Sequence, residues 1–356
     1  MREIKILTFI DVEFLKNRKK KTLVIGTHNG IFHADEVVAI AILCSLYEDY
    51  EIIIVRTRDV ETLALCDICV DVGEGKYDHH QRGFDLYREN NVLYASAGLV
   101  WEDYGKKLVK KYLEVYFPEM SDFCLKIWKE FDEKVIIPID LEDNGKNGIK
   151  KGEKDKKDEI SDEKKDKKES EGENRNKEHC FSYITTFRPL WNEENPDFEG
   201  NFLEVLHVTI SILKRQLLNL IANYDVESFL KERCKDGRYF FDNILEIPSQ
   251  TTPWLKSAVK FNNMAVTEKE IVNFVIFRYP DGGWAAQCVP PSLEEENEQR
   301  IPFPKEWAGQ TTELASICKV QGAIRCHNNR FFIRAQTRDD IIKMCKLAVA
   351  AWRASA

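Results

Sequence analysis

Between residues 22 and 72 the chain alternates short apolar runs with one apolar stretch of helix length: "TLVIGTH", "VVAIAILCSLY", "EIIIVRT" and "DICVDV". The short runs are rich in β-branched residues and bounded by polar clusters, which predicts strands at 22–28, 51–57 and 67–72, with a helix at 34–48 between the first two. Strand, helix and strand repeated at this spacing specify a parallel sheet, and such sheets bind ligands at the carboxyl ends of their strands. Helices are expected at 95–117 and 121–136, and a long helical region near 198–235. Beyond it, strands broken by turns ("FVIFRYPDGGWAAQCVPP") announce a smaller second domain from about residue 240. At 356 residues and 43% apolar content the chain can bury two cores.

One segment departs from this pattern. From Lys146 to His179 the sequence holds 12 basic and 11 acidic residues, with Ile149 and Ile160 as its sizeable apolar groups. Such a stretch cannot bury enough surface to fold, and its charges nearly cancel, so it reads as a solvated, disordered insert. The expected organisation is an extension at 1–21, a first domain at 22–237 interrupted by the insert at 146–179, and a second domain at 238–356. A net charge of -8 argues against broad adhesion to nucleic acid but leaves room for a local basic patch. Ten scattered cysteines, several inside apolar runs, fit a reduced intracellular compartment. No stretch approaches about twenty uninterrupted apolar residues, so no membrane span is expected. The start "MREIKILTFIDVEFLKNRKKK" mixes acids with bases and makes a poor transit peptide.

Four places carry metal-capable groups just after apolar runs. These are His28, His33 and Asp35 in "HNGIFHADE"; Asp71 after "DICV"; Asp78, His79 and His80 in "YDHHQRGF"; and Asp143 in "DLEDNG". Each lies at an expected strand or helix end, so together they can converge on one cleft. Imidazole with carboxylate, and no thiolate, suits Mn²⁺, Fe²⁺, Co²⁺ or Zn²⁺ rather than Ca²⁺, and a central carboxylate can bridge two such ions. A lone histidine beside a strand is usually a satisfied polar residue; four such places in one chain favour metal. The "CDIC" at Cys66–Cys69 has zinc-type spacing but no second pair and reads as core. "GEGKY" lacks the full phosphate-loop pattern and reads as a turn. Trp101, Trp128 and Trp254 fall in helical segments and read as packing.

"HNGIFHADE", "RTRD", "DVG", "YDHHQRGF", "SAGLVW" and "DNG", with "FRPLWNE", "GGWAAQCVPP" and "PFPKEWAG" beyond the insert, resemble the melanocyte-proliferating-gene (Myg) family, a branch of the DHH-type metal-dependent phosphoesterases. The resemblance covers nearly the whole chain outside the amino-terminal extension and the insert. It implies an α/β fold, a parallel-sheet DHH-type phosphoesterase domain followed by a smaller α/β substrate-binding domain. It also implies a 3′-5′ RNA exonuclease of nucleus or mitochondrion with two divalent ions, Mn²⁺ foremost, and RNA or an oligonucleotide as substrate. Hydrolysis of short oligonucleotides or small nucleotides, or metal and RNA binding with weak catalysis, are the alternatives. Carried over residue by residue, His28 and His33 bind one metal, Asp35, His79 and Asp143 the other, and Asp71 bridges. His80 faces the phosphate, and Asp78 orients a histidine. His33 stands where the wider superfamily usually carries Asp; the extra imidazole moves the site away from Mg²⁺.

From Lys319 to Arg338 the run "KVQGAIRCHNNRFFIRAQTR" contains five basic residues and no carboxylate. Arg325, His327, Arg330, Arg334 and Arg338 here, with Arg188 in "FRPLWNE", are the expected substrate contacts, gripping a backbone and stacking a terminal base. A solvated basic edge around core phenylalanines is the bland reading of the same residues. The family pattern is close to "GFIGGNKTR", whereas this chain has "RFFIRAQTR": Ile333 and Arg334 replace glycines, and Gln336 replaces the lysine.

Overall fold

The computed structural model describes residues 4–145 and 179–355. The expected disordered insert therefore lies outside the described residues, except for His179. The chain divides into two compact units, Met1–Ile221 and Ala222–Ala356, giving a mixed α/β protein with one sheet in each.

In the first unit the order is β1 (Ile4–Leu7), α1 (Val12–Asn17), β2 (Thr22–Thr27), α2 (Ala34–Leu46), β3 (Glu51–Arg56), α3 (Val60–Leu63) and β4 (Ile68–Cys69). The strands form a parallel sheet in the order β1-β3-β2-β4. Residues before β2 are thus not an outlying extension: β1 pairs with β3, from Ile4 opposite Ile52 to Leu7 opposite Val55. Ile10 packs with Val24, Ile53 and Val55, which holds the segment in the fold. α2 is buried from Ala34 to Ser45, which explains a helix with no polar stripe. β4 is shorter than the strand expected at 67–72, because Asp71 turns the backbone into the left-handed region at φ 56°.

α4 (Ser96–Val100), a π-turn at Trp101–Gly105 and α5 (Lys106–Tyr116) run on without a break. So do α6 (Cys124–Phe131), a second π-turn at Asp132–Ile136 and α7 (Ile137–Asn144), so the expected helix at 121–136 extends to 144. Opening a π-turn frees carbonyls from their usual partners. The Trp101 indole donates to the Trp128 carbonyl and the Trp128 indole to the Trp101 carbonyl, each at 3.3 Å, so both tryptophans are packing residues with their polar atoms satisfied.

α8 (Phe198–Lys235) is one helix through the unit boundary, which falls inside it rather than after residue 237. By length and composition alone it is apolar enough to cross a membrane, yet Phe202, Val205, Leu206, Leu213 and Leu217 are fully buried. Phe202 meets Phe32 edge to face, and Thr209 bonds the Tyr183 hydroxyl.

The second unit adds β5 (Phe240–Phe241), β6 (Ile244–Glu246), α9 (Leu255–Met264), β7 (Phe274–Arg278), β8 (Trp284–Cys288), α10 (Leu314–Cys318), β9 (Ala323–Cys326), β10 (Phe332–Ala335) and α11 (Arg338–Ser355). Its sheet runs β5-β6-β7-β8-β10-β9, parallel only between β6 and β7. Alternation along β7 feeds two cores: Phe274 and Ile276 pack with Met344 and Phe303 on one face, and Val275 and Phe277 with Leu230 and Trp254 on the other.

Candidate metal centre

β2 and β4 are neighbours, with Gly26 opposite Cys69. Two residues further along each, at the carboxyl end of the sheet, stand His28 and Asp71, with Nε2 and Oδ2 3.3 Å apart. His33 precedes the first turn of α2, which brings Asp35 and Glu36 to the same end. The loop that carries His79 and His80 lies against Asp71, with Nδ1 of His79 3.4 Å and Nδ1 of His80 2.9 Å from Oδ1. α7 supplies Asp143, whose Oδ2 is 2.7 Å from His79 Nε2. Three overlapping groups result, in each of which the ligand atoms lie within 4.8 Å of one another: His28, His33, Glu36 and Asp71; Asp71, His79 and His80; and Asp35, His79 and Asp143. All six sequence-derived metal ligands are therefore brought together, and Asp71 is common to two groups.

Glu36 is the member the sequence reading passed over. It also accepts the backbone N–H of His33 at 2.7 Å, so an acid at the third helical position looked like ordinary capping. Its other oxygen, and both oxygens of Asp35, are buried without a hydrogen-bond partner among the described residues. Unpaired buried carboxylates are costly. Burial, then the charges of Asp71, Glu36 and Asp143, push the Asp35 carboxyl well above its usual range. A divalent cation is the partner this donor set fits.

The histidines respond to the same carboxylates. Burial lowers His28, but hydrogen bonds to Asp71 and Glu36 outweigh it and raise the ring to about 9. Hydrogen bonds to Asp71 and Asp78 raise His80 to about 10. Burial raises Asp71, but its contacts with His28 and His80 hold it well below the usual carboxylate range. Asp78 accepts the backbone N–H groups of Glu74 at 2.8 Å and His80 at 3.0 Å, so it shapes the turn that presents His80.

A supporting network also escaped the sequence reading. The Ser96 hydroxyl, at the start of α4, donates to Asp71 Oδ1 at 3.2 Å and stands 3.2 Å from His79 Nδ1. Two residues on, the Gly98 N–H donates to buried Asp140 of α7 at 3.0 Å. Asp140 pairs at 2.7 Å with Arg88, which also grips Asp132 with two bonds of 3.0 Å. A Cβ at position 98 would collide with the Asp140 carboxylate and lie 2.5 Å from Arg88 Nη2. Glycine in "SAGLVW" thus leaves room for the Arg88–Asp140 ion pair, while its own N–H ties α4 to Asp140 of α7, the helix that also carries Asp143.

Of the expected substrate contacts, Arg188 lies in the first unit, where its Nε donates to the Phe32 carbonyl at 2.7 Å, one residue before His33. The other five belong to the second unit. Arg325 is exposed, and Arg330 takes a left-handed backbone, φ 56°, with Nη1 3.4 Å from the Phe303 carbonyl. His327 packs 4.6 Å from Phe331. Arg334 sits directly across from Arg325, and like charges in that position repel. It is not a free cation: it pairs with Asp281 and stacks 4.1 Å over Tyr279. Arg338 likewise holds Glu246 at 2.7 Å. The basic run has no carboxylate of its own but borrows two from elsewhere in the unit.

Fold and site define an α/β protein that gathers imidazoles and carboxylates at the carboxyl end of a parallel sheet in clusters able to hold metal. A family model for MYG1-type exonucleases, described as an uncharacterised protein family (UPF0160), matches residues 24–349. The MYG1 exonuclease of Mus musculus is 29% identical over 350 residues, covering 92% of this chain and 84% of that protein. The MYG1 exonuclease of Homo sapiens is 29% identical over 350 residues, covering 92% and 85%, and a MYG1 protein of Saccharomyces cerevisiae 27% over 354, covering 95% and 99%. No solved structure gives a significant match. The chain belongs to the MYG1 family.

Proposed function

We propose that the chain is a metal-dependent phosphodiesterase that trims RNA from its 3′ end, with a DHH-type domain carrying two divalent ions, Mn²⁺ foremost, and the second unit binding substrate. The observation that carries this is Asp35: both carboxylate oxygens are buried without a hydrogen-bond partner among the described residues, beside three further carboxylates. The names of the mammalian relatives support the nuclease reading. His28, His33 and Asp71 would hold one ion, and Asp35, His79 and Asp143 the second, with Asp71 shared. Bound there, such a pair supplies hydroxide near neutral pH and offsets charge on the phosphoryl group. Asp71 is kept ionised and aimed by Ser96, His28 and His80. His80, with its side chain 65% exposed, is poised to donate to a phosphate oxygen, while Asp78 fixes its turn.

A second reading, short oligonucleotides as the preferred substrate, gains from the pairing of Arg334 and Arg338 with Asp281 and Glu246, which removes two of the expected backbone contacts. Incubation of Mn²⁺-supplemented protein with 5′-labelled RNA and DNA tests both. The expected result is a ladder shortening from the 3′ end of RNA, abolished by chelator and by Asp35→Asn. Product from very short oligomers alone would favour the second reading. A fully metal-loaded protein that yields no product from either polymer would overturn the proposal.

A further inference from the structure

Trp191 is 97% exposed, more than any other large apolar side chain among the described residues. It stands in a tight turn: Glu193 N–H donates to the Leu190 carbonyl at 3.2 Å, and Leu190 N–H donates to the Glu193 carboxylate at 2.9 Å. The indole is therefore presented by a hydrogen-bonded scaffold, with Leu190 beside it at 66% exposure. The turn is fastened to the loop that carries His28 and His33. On one side Arg188 donates to the Phe32 carbonyl at 2.7 Å. On the other, buried Arg56 donates to the Gly30 carbonyl at 2.8 Å and the Phe198 carbonyl at 3.2 Å. Trp191 lies three residues from Arg188, so the two Cα atoms are at most about 11 Å apart.

We infer that Trp191 is a stacking platform for a terminal base of a single-stranded nucleic acid entering the metal centre. This rests on the hydrolase reading above and names the part of the substrate that this rim recognises. An indole left in water on a rigid turn has an apolar face to offer, and a nucleobase is a planar group that every nucleic-acid strand carries. The flanking sequence is acidic, with Glu193, Glu194 and Asp197. These carboxylates repel the strand's phosphates, so a strand that reaches the indole does so with its backbone turned away and its terminal base toward the ring. Selectivity here is accordingly for an unstacked base and not for its identity, because each base has a π-face.

The test is binding in chelator, where no cleavage occurs. Anisotropy is read with two labelled oligoribonucleotides, one carrying normal residues and one carrying abasic residues at its 3′-terminal positions. Stacking of one base predicts that Trp191→Ala weakens binding of the normal strand roughly 5- to 100-fold, and that Trp191→Phe recovers most of it. The abasic strand should bind wild type and Trp191→Ala equally. Metal content by elemental analysis, equal in wild type and variant, shows an intact centre. Equal affinity of both proteins for the normal strand overturns the inference, and would turn the indole toward a protein partner. Cleavage of RNA by metal-loaded wild type is read separately: if it is absent while the binding difference persists, hydrolysis fails and the stacking site stands.

Discussion

Arg88→Met isolates the ion pair that joins the loop before α4 to α7. The substitution keeps most of the apolar stem and removes the guanidinium, which makes contacts of 2.7 Å to Asp140 and 3.0 Å, twice, to Asp132. Asp140 is fully buried and would retain only backbone donors, the N–H groups of Gly98 and Ala95. Removing one partner of a buried pair costs roughly 3–5 kcal/mol. At about 2–4 °C per kcal/mol for a unit of this size, Tm should fall by roughly 6–20 °C. The pH dependence sharpens the test. Burial raises the Asp140 carboxyl and Arg88 pulls it back, leaving it at about 7. A carboxyl raised in the native state binds more protons there than in the unfolded chain, so it weakens the fold as pH rises from about 4 toward 7. Without Arg88 it moves higher still, stays neutral at pH 5.5 and needs no counter-charge there. Thermal unfolding followed by circular dichroism should show a larger deficit at pH 8 than at pH 5.5, partly relieved at pH 8 by adding Asp140→Asn. Equal deficits at both pH values, or a deeper one in the double variant, would refute the role given to this pair.

Asp71→Asn keeps the shape and removes the shared ligand; hydrolysis should vanish and bound metal fall, and full metal occupancy by elemental analysis would contradict a bridging role. His80→Ala should lower turnover by roughly 10²-fold with metal content unchanged, and loss of metal would show that the two adjacent histidines have exchanged roles. Gly98→Ala places a methyl group against Asp140 and Arg88 and should destabilise by roughly 1–3 kcal/mol; a Tm equal to that of wild type would show that the helices yield freely.

The crossover from β2 through α2 to β3 could be read in the sequence because each run is apolar along its whole length. The candidate ligands after the strands were visible because chemistry concentrates at carboxyl ends. β1 was not: four residues, Ile4–Leu7, on one edge, half-exposed, carry too little pattern to distinguish a strand from a tail. Glu36 hid behind its capping role, and Ser96 behind an unremarkable helix start. Arg88 and Asp140 are 52 residues apart in sequence, and nothing local announces that they meet. Distance in sequence also explains the basic run, where Asp281 lies 53 residues before Arg334 and Glu246 lies 92 before Arg338. A count of charges in one segment cannot see its neutralising partners.

The left-handed backbone at Asp71, φ 56°, also bears on inherited variation. Glycine and asparagine are the residues that settle most easily in that conformation, and each is a single base change from an aspartate codon. The lesions that erase the shared carboxylate are thus also the ones the main chain accepts with least strain. Either change keeps a residue suited to the turn at 71 while leaving His28, His80 and Ser96 without the carboxylate they contact.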